Sequence, residues 1–189
     1  MIGIDISHWD VGKLDYREIK QKFDFVIIKA TDGTRTDPEC MTFYNSLQNG
    51  PQTGFYAYTY ATTQSTAKAE AVAFCKVVKP CSKRAGLWLD VEDKSLKKLS
   101  KEVLTAIINT WLDTAKSLGF TVGLYSNPSW LEKRIDLERL TDCPIWLAVW
   151  TDSVTKLIKY RDKYRPAVIQ YCDDFKLSTG KKVDGDIIF

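Results

Sequence analysis

The sequence predicts an α/β fold, a shortened (β/α) barrel with eight strands and about five well-formed helices, in one domain that spans residues 1–189. Its length of 189 residues is that of about one domain. Short β-rich runs alternate with helical patterns, which is typical of a parallel sheet, and eight such runs favour closure into a barrel. The strand–helix units are short for a barrel, so a doubly wound open sheet is the alternative.

The predicted strands are short runs rich in aliphatic and aromatic residues. They cover residues 2–7, 23–31, 54–61, 85–92, 120–127, 144–150, 167–172 and 183–189. Helical periodicity predicts helices at 15–22, 37–49, 64–78 and 99–118, and weaker ones at 129–139 and 153–164. Asp37-Pro38 has the pattern of an N-cap followed by proline at the first helical position. Ser100 begins the longest helix and Gly119 ends it.

The composition excludes several classes of protein. Hydrophobic residues are 44% of the chain and charged residues 27%, which excludes disordered, collagenous and coiled-coil chains. No apolar run approaches the ~18 residues of a membrane span, so we expect no membrane partner. The first residues lack a basic segment and carry Asp5 within their apolar stretch, so we expect no signal peptide and synthesis in a cytoplasm.

Charge and the scarce residue types narrow the choice of partners and cofactors. The net charge is +3 and the basic residues are spread out, so we expect no nucleic-acid partner. The densest basic run is expected to be a solvated loop and helix start, and it consists of Lys94, Lys97, Lys98 and Lys101. A weak attraction of this run to an anionic polymer stays open. The single histidine, His8, cannot build a His-rich zinc site, and we expect no metal and no cofactor. The five cysteines contain no C-x-x-C pair and are expected to be reduced thiols.

The strands have one aliphatic face and one polar or aromatic face. Side chains alternate along a strand, so residues i and i+2 share a face. Near the carboxyl ends of the strands, where β/α barrels hold their active sites, the second face carries acids, an amide and aromatic rings. These residues are Asp5, Tyr56, Tyr58, Tyr60, Trp88, Asp90, Glu92, Trp146, Trp150, Gln170, Asp184 and Asp186. The alternative is that the acids are helix caps or turn residues at the strand exits.

Asp90 and Glu92 are the strongest local signal. Two carboxylates at i and i+2 on one strand face lie roughly 5–7 Å apart. Their repulsion in a partly desolvated barrel mouth should raise one pKa, and a carboxyl protonated near neutral pH is what a glycosidase general acid requires. Asp5 and Asp184 would add negative potential for an oxocarbenium-like transition state. The surrounding Tyr and Trp rings offer flat apolar faces to sugars.

Several motifs occur in a characteristic order along the whole chain. They are GIDIS with Asp5, IIKATDG with Asp32, WLDVE with Asp90 and Glu92, PIWLAVW, Ile169-Gln170-Tyr171, and VDGDIIF with Asp184. In these motifs the chain resembles glycoside hydrolase family 25, the N-acetylmuramidases (lysozymes) common among phage endolysins. It departs from the family at Asp32, where Glu is frequent, and at Asp186, where Asn is frequent.

The resemblance implies a peptidoglycan substrate, cut at the β-1,4 bond after N-acetylmuramic acid, with wall lysis after release from the cell. It implies that Glu92 is the general acid/base and that Asp90 orients the substrate's acetamido group. Asp5 and Asp184 are implied as supporting acids. Asp90 and Glu92 project from one strand, so they are poorly placed to flank a sugar from opposite faces; retention assisted by the acetamido group is implied instead. Substrate contacts are implied for Tyr58, Tyr60, Tyr125, Trp150, Gln170 and Asp32.

Other functions stay open on the sequence alone. One alternative is a non-catalytic barrel that binds wall glycans, although such a protein would not need four acids together. Another is a chitinase-like enzyme acting on N-acetylglucosamine polymers. Nucleotide-dependent enzymes are disfavoured because neither G-x-x-x-x-G-K-[ST] nor a G-x-G-x-x-G after a strand is present. Many endolysins carry a wall-binding module, which would here be separate or missing.

Overall fold

The computed structural model describes residues 1–12, 14–140 and 142–188. Phe189, the last residue of the predicted strand 183–189, lies outside the described residues. The strands are β1 (Ile2–Ile6), β2 (Phe25–Asp32), β3 (Arg35–Thr36), β4 (Gln52–Tyr58), β5 (Leu87–Asp90), β6 (Gly123–Ser126), β7 (Ile145–Ala148), β8 (Val168–Lys176) and β9 (Lys182–Ile187). The helices are α1 (Tyr16–Lys22), α2 (Cys40–Ser46), α3 (Gln64–Val78), α4 (Lys101–Ser117), α5 (Pro128–Lys133) and α6 (Val154–Tyr164).

Eight of these strands close into a barrel. Their order is β1-β9-β8-β7-β6-β5-β4-β2, and the β1–β2 pairing completes the ring. The two-residue strand β3 forms a hairpin with the end of β2, where Thr31 pairs with Thr36. The prediction of a shortened eight-stranded barrel is confirmed, and the open-sheet alternative is wrong.

The last strand differs from the expected parallel sheet. β9 runs antiparallel to both of its neighbours, β1 and β8. Only residues 177–181 separate β8 from β9, whereas a parallel crossover needs a dozen or more residues. The beginning of β9 therefore lies beside the carboxyl ends of the other strands, and Asp184 pairs with Asp5 of β1.

Two predicted helices are shorter in the structure. The predicted helix 37–49 contains only α2, which begins at Cys40 with Glu39 as its N-cap, so Asp37 lies in the turn before the helix. Asp37 Oδ1 accepts from the backbone N–H of Glu39 at 3.0 Å, and Asp37 Oδ2 accepts from that of His8 at 3.2 Å. The predicted helix 129–139 divides into α5 and a 3-10 turn at Leu137–Arg139. Gly119 follows α4 with a φ of +87°, which agrees with its predicted role of ending the longest helix.

No helix in the described part of the chain has the length and apolar character needed to cross a membrane.

The barrel interior is filled below the carboxyl ends of its strands. Trp146 is 1% exposed, and its ring centroid lies 4.5 Å from that of Tyr125 and 5.9 Å from those of Tyr56 and Trp88. A Cβ at Gly123 would lie 2.6 Å from the Trp88 ring, so this position requires glycine. The aromatic layer forms a floor, and the polar residues above it face an open cavity.

Candidate active site

A cavity of about 350 Å³ lies at the carboxyl ends of the strands. Its lining residues are Asp5, Ser7, Trp9, Asp10, Lys29, Tyr56, Tyr58, Asp90, Glu92, Tyr125, Trp146, Gln170, Lys182, Val183 and Asp184. A larger depression of about 430 Å³ surrounds Phe120, Val122 and Cys143, at the amino-terminal ends of β6 and β7. Because β/α barrels place their chemistry at the carboxyl ends, the smaller cavity is the candidate active site.

The cavity brings together seven of the ten predicted site residues: Glu92, Asp90, Asp5, Asp184, Tyr58, Tyr125 and Gln170. Trp150 is half exposed, and its indole Nε1 donates to Gln170 Oε1 at 2.8 Å. Tyr60 and Asp32 line a neighbouring depression of about 360 Å³, which shares Trp9 and Lys29 with the cavity. The three residues outside the cavity therefore lie around its mouth.

Asp90 and Glu92 lie on one wall of the cavity. Asp90 ends β5 and is 5% exposed, and one of its oxygens, Oδ1, is buried without a hydrogen-bond partner in the structure. Burial, and then the charge of Glu92, raise the pKa of Asp90 well above its usual range. Burial, and then the charge of Asp93, also raise the pKa of Glu92. Both acids are therefore held closer to their protonated forms than carboxyls in water.

Lys29 opposes this effect and was not among the predicted site residues. It is 7% exposed, and its Nζ lies 3.5 Å from Asp32 Oδ1 and 4.8 Å from the centroid of the Tyr58 ring. Its positive charge lowers the pKa of both Asp90 and Glu92. The only sequence signal for it was its place as the one charged residue within the aliphatic part of IIKATDG.

Gln170 connects the two sides of the cavity. Its Nε2 donates to Asp5 Oδ2 at 2.8 Å and to Asp184 Oδ2 at 3.2 Å. Its Oε1 accepts from the Tyr125 hydroxyl at 2.8 Å and from Trp150 Nε1 at 2.8 Å. The amide is 2% exposed, and every partner agrees with its orientation, because the amide nitrogen can only donate and the amide oxygen can only accept.

Asp186 is a third acid in the group formed with Asp5 and Asp184, and it too was not a predicted site residue. It is fully buried, and its Oδ1 accepts from Trp146 Nε1 at 2.8 Å. Its Oδ2 is buried without a hydrogen-bond partner among the described residues, and burial, followed by the charge of Asp186, raises the pKa of Asp5. Burial raises the pKa of both well above the usual range, and burial with nearby acids raises the pKa of Asp184 to about 6.

The helix-cap alternative is wrong for Asp5, Asp90 and Asp184. The side chain that caps the 3-10 turn Lys94–Lys98 is Asp93, which accepts from Ser95 N at 2.8 Å and from the Tyr58 hydroxyl at 3.1 Å. No helix of the described chain is capped by Asp5, Asp90 or Asp184. Their carboxyls are directed to the cavity and to each other.

His8 and three aromatic side chains lie around the mouth of the cavity. The exposed aromatic rings are Trp9 (77% exposed), Trp150 (54%) and Tyr60 (41%), and Trp9 was not predicted. His8 Nδ1 lies 2.6 Å from Asp37 Oδ2, in the depression beside the cavity. Within residues 1–12, 14–140 and 142–188, no three His, Cys, Asp or Glu side chains are arranged to hold a metal ion.

Comparisons with known proteins agree with this geometry. The family model "Glycosyl hydrolases family 25" matches residues 4–179. A lysozyme of Lactococcus phage mv1 is 32% identical over 124 residues, a match that spans 61% of this chain and 61% of that protein. The modular autolysin LytC from Streptococcus pneumoniae has a TM-score of 0.85 at 22% identity, covering 100% of this chain and 46% of that one. A family 25 glycosyl hydrolase from Bacillus anthracis has a TM-score of 0.80 at 25% identity, covering 100% of this chain and 88% of that one.

Proposed function

Because this chain belongs to the glycosyl hydrolases of family 25, we propose that it is a lysozyme, which cuts the β-1,4 bond between N-acetylmuramic acid and N-acetylglucosamine in peptidoglycan. One observation carries the proposal: Asp90 and Glu92 share a cavity with Asp5 and Asp184, which lie across the barrel from them. Residues 1–189 act as one catalytic domain. The protein reaches the bacterial wall after release from the cell that makes it, and peptidoglycan is its partner.

Glu92 is the general acid in this proposal. It faces the cavity, and burial raises its pKa, so a protonated fraction persists at higher pH than for a carboxyl in water. Its proton passes to the oxygen of the leaving sugar as the glycosidic bond breaks. In the second step the same carboxylate takes a proton from the attacking water.

Asp90 assists an attack from within the substrate. It lies on the same strand end as Glu92, so it cannot act as the nucleophile on the opposite face of the sugar ring. The carbonyl oxygen of the 2-acetamido group forms the new bond to the anomeric carbon instead, and Asp90 accepts the acetamido N–H and stabilises the positive charge. Water then opens this intermediate, and two displacements at one carbon give retention of configuration.

The remaining site residues orient the glycan. Asp5 and Asp184, joined through Gln170, supply negative potential opposite Glu92. Tyr58, Tyr125 and Trp150 present ring surfaces to the sugars, which suit their apolar faces. Asp32 accepts from the Tyr60 hydroxyl at 2.8 Å and from Arg35 at 2.8 Å, and so holds Tyr60 at the rim.

Digestion of purified peptidoglycan by Glu92→Gln tests the proposal. The amide keeps the shape of the side chain but cannot deliver a proton, so we expect a loss of ~10²–10⁴-fold in rate. Glu138→Gln, an exposed glutamate with the same change, is the control and should keep its activity. Mass spectrometry of the products should find reducing-end N-acetylmuramic acid.

Three results would contradict the proposal. Activity above about half of wild type in Glu92→Gln would assign the acid elsewhere. Reducing-end N-acetylglucosamine would identify a glucosaminidase. Wall binding by the wild-type protein without any cleavage would identify a non-catalytic glycan-binding barrel.

A further inference from the structure

A second concave surface lies beside the cavity and is lined by cations. This depression has a volume of about 390 Å³, and its lining residues are Lys97, Asn127, Ser129, Trp130, Lys133 and Arg134. Among the described residues that line it there are three cationic side chains and no carboxylate. We refer to it as the cationic depression.

The cationic depression lies at the same end of the barrel as the cavity. Lys97 belongs to the 3-10 turn that follows β5 and lies five positions after Glu92. Asn127 follows β6 and lies two positions after Tyr125, which lines the cavity. The cationic depression and a polymer chain bound in the cavity therefore lie at the same end of the barrel.

Arg134 fixes the shape of this surface. Its Nη2 donates to the backbone oxygens of Lys97 at 2.7 Å and of Leu99, which attaches the end of α5 to the turn after β5. Its guanidinium makes no salt bridge with a carboxylate in the described part of the chain. The lysines on either side are therefore held on one rigid support.

The lysines of this surface are not neutralised by ion pairs. Lys97 and Lys133 are exposed, and neither forms a salt bridge with a described residue. The same holds for Lys94 and Lys98, which belong to the same turn as Lys97 but do not line the depression. The two adjacent acids have other partners. Asp93 accepts from Ser95 and Tyr58, and Glu132 pairs with Lys163 at 2.6 Å. The positive charge is left for a ligand.

We propose that the cationic depression binds the phosphodiester groups of an anionic polymer attached to the wall glycan, and so holds that glycan near the cavity. This inference rests on the proposed function. Several unpaired cations in a row suit a polymer whose charge repeats, better than an isolated stem-peptide carboxylate. Lysines bind phosphate as mobile point charges, and such binding weakens as salt screens it.

Titration with soluble poly(glycerol phosphate) at 50–200 mM salt tests the inference in the full chain. Lys97→Gln/Lys133→Gln removes two proposed phosphate contacts. By analogy with other polyanions, the slope of log Kd against log salt should then fall by about two. At low salt the affinity should fall by about tenfold. Lys68→Gln/Lys76→Gln removes the same charge from exposed positions on α3 and should match wild type.

Polyglutamate of equal charge distinguishes phosphate from carboxylate. Weaker binding of polyglutamate by the wild-type protein supports the inference, and equal binding overturns it. Equal loss of affinity in both double variants also overturns it.

Walls stripped of phosphodiester polymers separate this inference from the lysozyme proposal. The Lys97→Gln/Lys133→Gln protein should cut these walls at the wild-type rate, and this result also shows that the variant is folded. Failure of the wild-type protein to cut stripped walls would overturn the lysozyme proposal, while the titration alone decides polymer binding.

Discussion

Asp184→Asn should stabilise the protein at neutral pH while it weakens catalysis. The pKa of Asp184 is raised from 3.8 to about 6, first by burial and then by Asp10, Asp173 and Glu92. A carboxyl whose pKa is higher in the folded state binds its proton more tightly there. Its contribution to stability is complete below pH ~4 and is lost as the pH rises through about 6.

The size of this effect follows from the two pKa values. A rise from 3.8 to about 6 corresponds to ~3 kcal/mol, since one pKa unit is worth ~1.4 kcal/mol. Asparagine has no charge to desolvate, and its side-chain oxygen can still accept from Gln170 Nε2, which lies 3.2 Å from Asp184 Oδ2. We expect the free energy of unfolding to increase by up to ~3 kcal/mol at pH 7 and to change little at pH 3.5.

Urea unfolding followed by tryptophan fluorescence between pH 3.5 and 8 measures this change. Asp113→Asn, at an exposed position on α4, is the matched control and should show no comparable pH-dependent gain. A gain that is the same at every pH, or a loss of stability at pH 7, would refute the reasoning. Peptidoglycan hydrolysis by Asp184→Asn should fall, because the negative potential across from Glu92 is reduced.

Three further changes probe the same site. Asp90→Asn should reduce peptidoglycan hydrolysis severely, by ~10²-fold or more, since it removes charge next to the reacting carbon; full activity would move this role to another residue. Gln170→Leu should lower the free energy of unfolding by ~2–4 kcal/mol in urea titrations, because it removes four hydrogen bonds and leaves buried partners unsatisfied; a change below ~1 kcal/mol would contradict the network. Peptidoglycan N-deacetylated at muramic acid should bind yet resist cleavage, and cleavage at the normal rate, measured by release of reducing ends, would exclude assistance by the acetamido group.

The alternation of side chains along the strands determines much of the candidate site. Asp90 faces the cavity while Leu89 and Val91 are buried outside it, because successive strand residues point to opposite faces whatever surrounds the strand. The same local rule places Tyr58 on the inner face. The eight-strand count also follows from local patterns.

Other features depend on contacts between distant segments. The direction of β9 does not follow from its residue pattern, because periodicity within a strand is the same for parallel and antiparallel pairing. β8 extends beyond its predicted end at residue 172 to Lys176, which pairs with Lys182, and only residues 177–181 are left for the connection. The Asp37 carboxylate makes one local and one distant contact: Oδ1 accepts from Glu39 in the turn before α2, and Oδ2 accepts from the backbone of His8, 29 residues away.

The sequence by itself determined which residues face the barrel interior, and the tertiary structure decided which of them are partners. Gln170 donates to Asp5 across 165 residues of chain. The pKa of Asp5 is raised by its own burial and by the charges of Asp186 and Asp184, which lie on β9 beside β1. Burial and distance set the pKa of an acid, and both arise only when the barrel closes.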